Sequence, residues 1–118
     1  MSMKFTNRMG DIKVTSRFVS EIAAKVTETC YGVVGMASRN KADGIVNLLR
    51  GDNKSKGIKV DFVDNKAVIE LHIVVEFGLN ITSTCKSIAQ RVRYTLENVT
   101  GVPVKNVNIR VEGIRVSE

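Results

Sequence analysis

Two stretches of this chain follow one plan: an amphipathic helix runs into Gly-Val and then into a strand. The first goes from Thr15 through Cys30-Tyr31-Gly32-Val33-Val34-Gly35-Met36 to Arg39, and the second from Thr82 through Thr100-Gly101-Val102-Pro103-Val104 to Val116. A helix with one apolar stripe must bury it, and a strand that follows offers the sheet face on which to do so. The plan therefore points to an α+β domain. It also spends most of the distinctive glycine and β-branched residues on architecture, which leaves little for chemistry.

The elements follow from periodicity. Gly10 to Val14 reads as a short first strand, and Thr15 or Ser16 caps the first helix. That helix places Phe18, Ile22, Val26 and Cys30 on one stripe, with Val19 and Ala23 alongside, and Gly32 ends it in a left-handed cap. Val33 to Ser38 is a second strand. Ile45, Leu48 and Leu49 mark one or two helical turns in an otherwise polar, basic loop from Asn40 to Gly57. Ile58, Val60 and Phe62 alternate with Lys59 and Asp61, Asp64-Asn65 makes a turn, and Ile69, Leu71, Ile73, Val75 and Phe77 alternate with Val68, Glu70, His72, Val74 and Glu76. This is a β-hairpin. The second helix buries Ile81, Cys85, Ile88, Ala89, Val92, Leu96 and Val99 and leaves Lys86, Gln90, Arg93 and Glu97 wet. In the last strand Val107, Ile109 and Val111 share one parity and Ile114 and Val116 the other, so a bulge is expected at Gly113. The expected order is β-α-β-β-β-α-β: a two-layer domain with two helices packed on one face of a sheet, in one domain of residues 1–118 with its core over about 10–116.

The 118 residues carry a net charge of +6, and the excess is uneven. Residues 1–60 hold 11 Lys/Arg against 5 Asp/Glu, and residues 61–118 hold 7 against 7. Arg39, Lys41, Arg50, Lys54, Lys56 and Lys59 against Asp43 and Asp52 make the sharpest basic segment. Such a segment attracts phosphates, anionic headgroups or acidic protein, although a solvated loop is its commoner meaning. The first ten residues lack an apolar stretch, so no signal peptide is expected, and no apolar run approaches a membrane span. Contact with a membrane is expected only peripherally or through a partner.

Chemistry is sparse. His72, the one histidine, alternates with Glu70 and Glu76 and reads as a surface histidine among solvated carboxylates rather than a metal ligand. Cys30 and Cys85 fall on apolar helix faces without a CxxC spacing or ligand neighbours. Neither a GxSxG, a P-loop nor a GxGxxG after a strand is present. The expectation is a non-enzyme without metal or cofactor. Gly32-Val33-Val34-Gly35 matches the GxxG of KH domains, but its Val-Val centre and the strand that follows favour a packing role.

Five ordered segments carry a family resemblance: Gly10-Asp-Ile-Lys-Val-Thr-Ser16, Cys30-Tyr-Gly-Val-Val-Gly-Met-Ala-Ser38, Gly57-Ile-Lys-Val60, Phe77-Gly-Leu-Asn-Ile81, and Thr100-Gly-Val-Pro-Val-Lys-Asn-Val-Asn-Ile-Arg-Val-Glu-Gly113. Together they resemble the alkaline-shock-protein family of Gram-positive bacteria. The tail Val111-Glu-Gly-Ile-Arg-Val116 and the insertion Asp43–Lys56 resemble its short, single-domain housekeeping branch. The resemblance implies a cytoplasmic, membrane-proximal, non-enzymatic protein of envelope stress response or homeostasis. It also implies a protein partner, either an integral-membrane anchor or a kinase-like protein of lipid metabolism, and association with further copies. No catalytic residues come with the family.

Two functions are weighed. The first is a protein-interaction or scaffold module that uses Arg39, Lys41, Arg50, Lys54, Lys56, Lys59, Lys86 and Arg93, with an exposed sheet edge as a second contact. The alternative is an RNA-binding module with a KH-like layout on the basic 39–59 segment. Single-strand readers offer stacking rings, and Phe5, Phe18, Tyr31, Phe62, Phe77 and Tyr94 are assigned mostly to the core or caps, which favours the first.

Overall fold

The computed structural model describes residues 2–39, 48–49 and 51–116. In chain order they form β1 (Ser2–Asn7), β2 (Gly10–Thr15), α1 (Ser16–Glu28), β3 (Val33–Met36), a 3₁₀ segment (Gly51–Gly57), β4 (Ile58–Val63), β5 (Lys66–Glu76), α2 (Ile81–Thr100) and β6 (Val104–Arg115). The expected β-α-β-β-β-α-β order is present from β2 onward. One strand, β1, precedes it.

Strand β5 is the axis of a four-stranded sheet. Along one side it pairs in parallel with β6, from Ala67↔Val104 to Glu76↔Arg115. Along the other side β4 pairs antiparallel with Lys66 to Leu71, and β3 pairs antiparallel with Ile73 to Val75. Strands β4 and β3 thus lie end to end on one flank, and β6 alone forms the other. Parallel neighbours need a long crossover, and α2 supplies it. Helix α1 packs over β3 and β4, α2 packs over β6, and the helices touch each other, so both lie on one face. The core sits between the layers, where Ile69, Leu71, Ile73 and Val75 of β5 meet Val19 and Ala23 of α1 and Ile88, Val92 and Leu96 of α2.

Local chemistry sets the element ends. Thr15 Oγ1 accepts the Phe18 N–H at 3.2 Å and caps α1. Asn80 Oδ1 accepts the Ser83 N–H at 3.0 Å and caps α2, and Gly101, at φ +73°, closes α2 in a left-handed cap with its N–H on Glu97 O. Asp64 and Asn65 hold φ of +51° and +62°, the paired left-handed geometry of a two-residue hairpin turn. The bulge expected at Gly113 is present, since Ile73 pairs with Val111 and Val74 with Gly113, leaving Glu112 as the extra residue. A second shift, between Ala67↔Val104 and Val68↔Asn106, leaves Lys105 extra.

Several expectations are corrected. Helix α1 buries Val19 and Ala23 as expected, together with Ser20, Ala24 and Thr27, while Ile22 and Val26 of the expected stripe are only partly buried against the core and Phe18 is 46% exposed. The small residues face the sheet, and the two buried hydroxyls are satisfied within the helix: Thr27 Oγ1 donates to Ala23 O at 2.7 Å and Ser20 Oγ to Ser16 O at 2.9 Å. Helix α1 also ends at Glu28 with Thr29 as cap, so Cys30 and Gly32 lie beyond it. Gly32 (φ +88°) instead serves the turn into β3, where any Cβ would collide with Leu79 Cδ1. In α2 only the middle of the stripe is buried, and Ile81 and Val99 are exposed. A straight helix on a twisted sheet diverges from it at both ends. Leu48 and Leu49 do not lie in a helical turn: Leu48 bridges antiparallel to Ala37, and the Leu49 N–H donates to Met36 O at 2.8 Å. Ile45 lies outside the described residues. The 3₁₀ segment falls where a plain loop was expected.

The unanticipated β1 pairs antiparallel with β2, Met3 opposite Val14 and Phe5 opposite Ile12. This hairpin forms a separate two-stranded sheet. Met3 and Val14 join the core, while Ile12 and Met9 remain exposed.

Candidate functional site

The basic residues singled out from the sequence fall into two groups that the fold keeps apart. Arg39 Nε donates to Lys56 O at 2.9 Å, which ties the end of the β3 segment to the 3₁₀ segment. Lys54 Nζ reaches Glu28 Oε2 at 2.7 Å and straps the same segment to the last turn of α1. A groove of about 580 Å³ runs between α1 and the 3₁₀ segment, edged by Arg17, Lys25 and Lys54 but also by Glu21 and Glu28. Two of these cations are committed, since Arg17 pairs with Glu21 at 3.1 Å and Lys54 with Glu28. Lys56 is exposed. Lys59 sits opposite Glu70 in the β4–β5 ladder, on the sheet face away from the helices, 3.8 Å from Asp61. Lys41 and Arg50 lie outside the described residues.

Lys86 and Arg93 belong to the other flank. They project from α2 beside the outer edge of β6, where a groove of about 300 Å³ is lined by Lys86, Gln90 and Arg93 and by Asn106, Val107 and Asn108. Arg93 Nη2 donates to Lys105 O at 2.7 Å. The main-chain carbonyl of the bulge residue Lys105 therefore turns toward α2, next to this groove. Glu97, one turn further along α2, accepts the Val104 N–H at 3.2 Å. Because α1 covers the β3/β4 flank and α2 covers β6, the 3₁₀ cations and the α2 cations sit at opposite flanks of the helix layer.

The face of β5 away from the helices carries a polar cluster that alternation only half revealed. His72 is buried, at 7% exposure, rather than on the surface. Its strand has neighbours on both sides, and its carbonyl accepts the Ala37 N–H at 2.8 Å. Nε2 lies 3.4 Å from Glu70 Oε2 and Nδ1 3.8 Å from Glu112 Oε2, so among the described residues the ring is held by long electrostatic contacts to two carboxylates rather than by a well-aligned hydrogen bond. Arg110 Nε donates to the other Glu70 oxygen at 2.7 Å. Arg110 holds the Glu70 carboxyl below the usual carboxylate range, burial opposes this, and His72 reinforces it. The sequence reading grouped Glu76 with this histidine. The fold brings Glu112 from β6 instead, a cross-strand partner that no spacing within β5 could indicate. Among the described residues no group of three or more His, Cys, Asp or Glu is placed to hold a metal ion.

Both cysteines are free thiols, and Cys85 is half-buried rather than buried. Burial pushes both thiols up, against a smaller opposing pull from Arg91 at Cys30, so both are poor thiolates. The GxxG motif lies at the turn into β3 and in the strand itself. Gly32 packs against Leu79, and Gly35 faces Leu48, whose Cδ2 would be 3.2 Å from a Cβ. A phosphate clamp between two helices is not what this segment forms. The aromatic residues need a correction in the opposite direction: Tyr31, Phe77 and Tyr94 are 80%, 70% and 71% exposed, so ring supply does not separate protein binding from RNA binding. Among the described residues no helix is long and apolar enough to cross a membrane.

Comparison with known proteins places the chain in a family. The family model for alkaline shock protein 23, cell envelope-related function, matches residues 4–116. The chain is 33% identical to Uncharacterized protein YloU of Bacillus subtilis (strain 168), over 99% of this chain and 98% of the relative. It is 30% identical to Uncharacterized protein Spy1614 of Streptococcus pyogenes serotype M6, over 98% and 97%, and 31% identical to Uncharacterized protein YqhY of Bacillus subtilis (strain 168), over 91% and 78%. No solved structure matches the chain.

Proposed function

The chain belongs to the alkaline shock protein 23 family, whose function is cell envelope-related, and on that premise we propose that it is a non-enzymatic protein-interaction module acting on the cytoplasmic side of the envelope. The observation that carries this reading is the arrangement of its charge. Exposed cations lie on two flanks, Lys56 beside the 3₁₀ segment and Lys86 and Arg93 beside β6. A surface of this kind recruits acidic partners and steers their approach. The partner is a protein, either a membrane anchor or a kinase-like protein, and any membrane contact is made through it or peripherally. Lys59 contributes from the opposite sheet face, Arg39 and Lys54 act mainly as struts, and Lys41 and Arg50 complete the basic segment in sequence.

The test is partner recovery by a folded variant. Lys56→Glu with Lys86→Glu reverses one exposed charge on each flank, and neither side chain is half of a described ion pair. The doubly reversed protein is expected to keep its melting temperature within about 2 °C, as surface changes do, and to lose most of its cross-linked partner. Undiminished recovery would remove these surfaces from the account.

A further inference from the structure

We propose that the outer edge of β6, together with the α2 flank beside it, is a docking groove for an extended acidic segment of a partner protein, which adds to the sheet as a further strand. This rests on the protein-interaction reading above and names the chemistry of the partner.

Three observations converge. The first is the edge itself. Strand β6 runs for 12 residues and pairs with β5 on one side, and among the described residues no strand pairs with the other side. In a parallel ladder each strand directs alternate residues' N–H and C=O groups to its neighbour and the remainder outward. Between the two bulges, Asn106 to Val111 pair in unbroken register with Val68 to Ile73. This is about the length of an ordinary strand of five to six residues. The second is that the outward groups open into a shaped space. The groove of about 300 Å³ has Val107 at its base and Lys86, Gln90 and Arg93 along its α2 wall. Arg93 already binds the carbonyl of Lys105 at 2.7 Å, so this edge is within reach of the α2 side chains. The third is charge. Among the described residues the groove is lined by two cations, Lys86 and Arg93, and by no acid; Glu97, the acid one turn further along α2, lies outside the lining with its carboxylate held at the Val104 N–H. A strand–helix groove of this kind binds peptides by main-chain pairing, with the helix side chains selecting among them.

Charge complementarity selects the occupant. A second copy would bring a chain of net charge +6 and another Lys86/Arg93 row to the same place. A strand with acidic residues at alternate positions would place its carboxylates beside Lys86 and Arg93 while its backbone pairs with β6.

The probe is a fluorescein-labelled ten-residue peptide of alternating Glu and Val, titrated against the full chain at low salt by anisotropy. Two controls accompany it: the same peptide N-methylated at alternate residues, and an alternating Lys-Val peptide. Saturable binding of the Glu-Val peptide is expected, at least tenfold weaker on N-methylation and about fivefold weaker with Lys86→Glu. Amide exchange at Val107 and Ile109 is expected to slow on binding. Equal binding of the N-methylated peptide, equal binding of the Lys-Val peptide, displacement by oligouridine, or slowed exchange at Gly51–Gly57 instead of β6 would each overturn the proposal. The failure of this inference and of the wider reading are distinguishable. If the peptide does not bind but the native chain still yields nuclease-resistant protein partners, the groove assignment falls and the interaction module stands. If those partners are also missing, both fall.

Discussion

At the scale of single residues, two glycines with the same left-handed backbone differ in what surrounds them. Gly32 holds φ +88° with Leu79 packed where a Cβ would project, while Gly101 holds φ +73° with open space around it. Gly32→Ala therefore meets backbone strain and must also displace the tip of the Leu79 side chain, and is expected to destabilise by about 1–3 kcal/mol. Gly101→Ala meets backbone strain alone, about 1 kcal/mol. Thermal melts of the two variants check the order, and equal losses would contradict the packing assigned to Gly32. His72 was read as a surface residue because β5 alternates so cleanly. Alternation reports which face a residue is on, not what covers that face, and the buried site between Glu70 and Glu112 is made by β6. Since among the described residues the ring makes only long contacts to Glu70 and Glu112 and no well-aligned hydrogen bond, His72→Leu is expected to stay within about 1 kcal/mol of the parent. A loss several times larger in chemical denaturation would show that the two carboxylates depend on the ring. The pairing of Glu70 has a pH signature. Its folded-state pKa is lowered, chiefly by Arg110. Its contribution is thus complete above the unfolded-state value of about 4.3 and is lost as pH falls through the lower folded value. Arg110 is largely exposed, so the contribution is below about 1 kcal/mol. Arg110→Met is expected to lower the neutral plateau by less than about 1 kcal/mol, leave stability below the folded-state pKa unchanged, and so flatten the acid limb of a stability–pH curve.

At the scale of elements, the parts legible in the sequence were those with a local cause. The Asp64-Asn65 turn, the cap at Thr15, the helix end at Gly101 and the β4–β5 alternation are each set by neighbouring residues. The bulge beside Gly113 was legible too, because a parity slip between Val111 and Ile114 has no other simple resolution in a strand. The face of α1 was legible only in part. Hydrophobicity marked Phe18, Ile22 and Val26 with Val19 and Ala23 alongside; the sheet receives Val19, Ala23 and Thr27 most closely, Ile22 and Val26 flank that contact, and Phe18 is exposed, because no scale of residue hydrophobicity captures how closely a helix must approach. Strand β1 was missed because two apolar positions, Met3 and Phe5, are too few to establish a period. The β1–β2 hairpin stands outside the four-stranded sheet and shares only Met3 and Val14 with the buried core, with Phe5 packed against it. Two-stranded hairpins are marginal alone. In native-state hydrogen exchange its amides are expected to open at least about 100-fold more readily than those of Ile69 to Val75. Equal protection would mean that the hairpin is part of the cooperative core.

At the scale of the whole molecule, the domain resolves into a neutral interior and two basic flanks. The sequence located the charge along the chain but could not place it in space, since the distance from Lys54 to Lys86 depends on which helix covers which strand. The candidate groove was half legible: Lys86, Gln90 and Arg93 were read as the wet face of α2, and the strand edge beside them became specific only with the parallel β5–β6 pairing. The central claim, that this member of an envelope-related family works by binding protein, is tested most directly by recovering the tagged full chain from cross-linked native cells, with and without nuclease, and identifying what comes with it. The account predicts a protein partner that survives nuclease and is depleted when Lys56 and Lys86 are reversed. Recovery dominated by RNA-bound proteins that vanish with nuclease would contradict it.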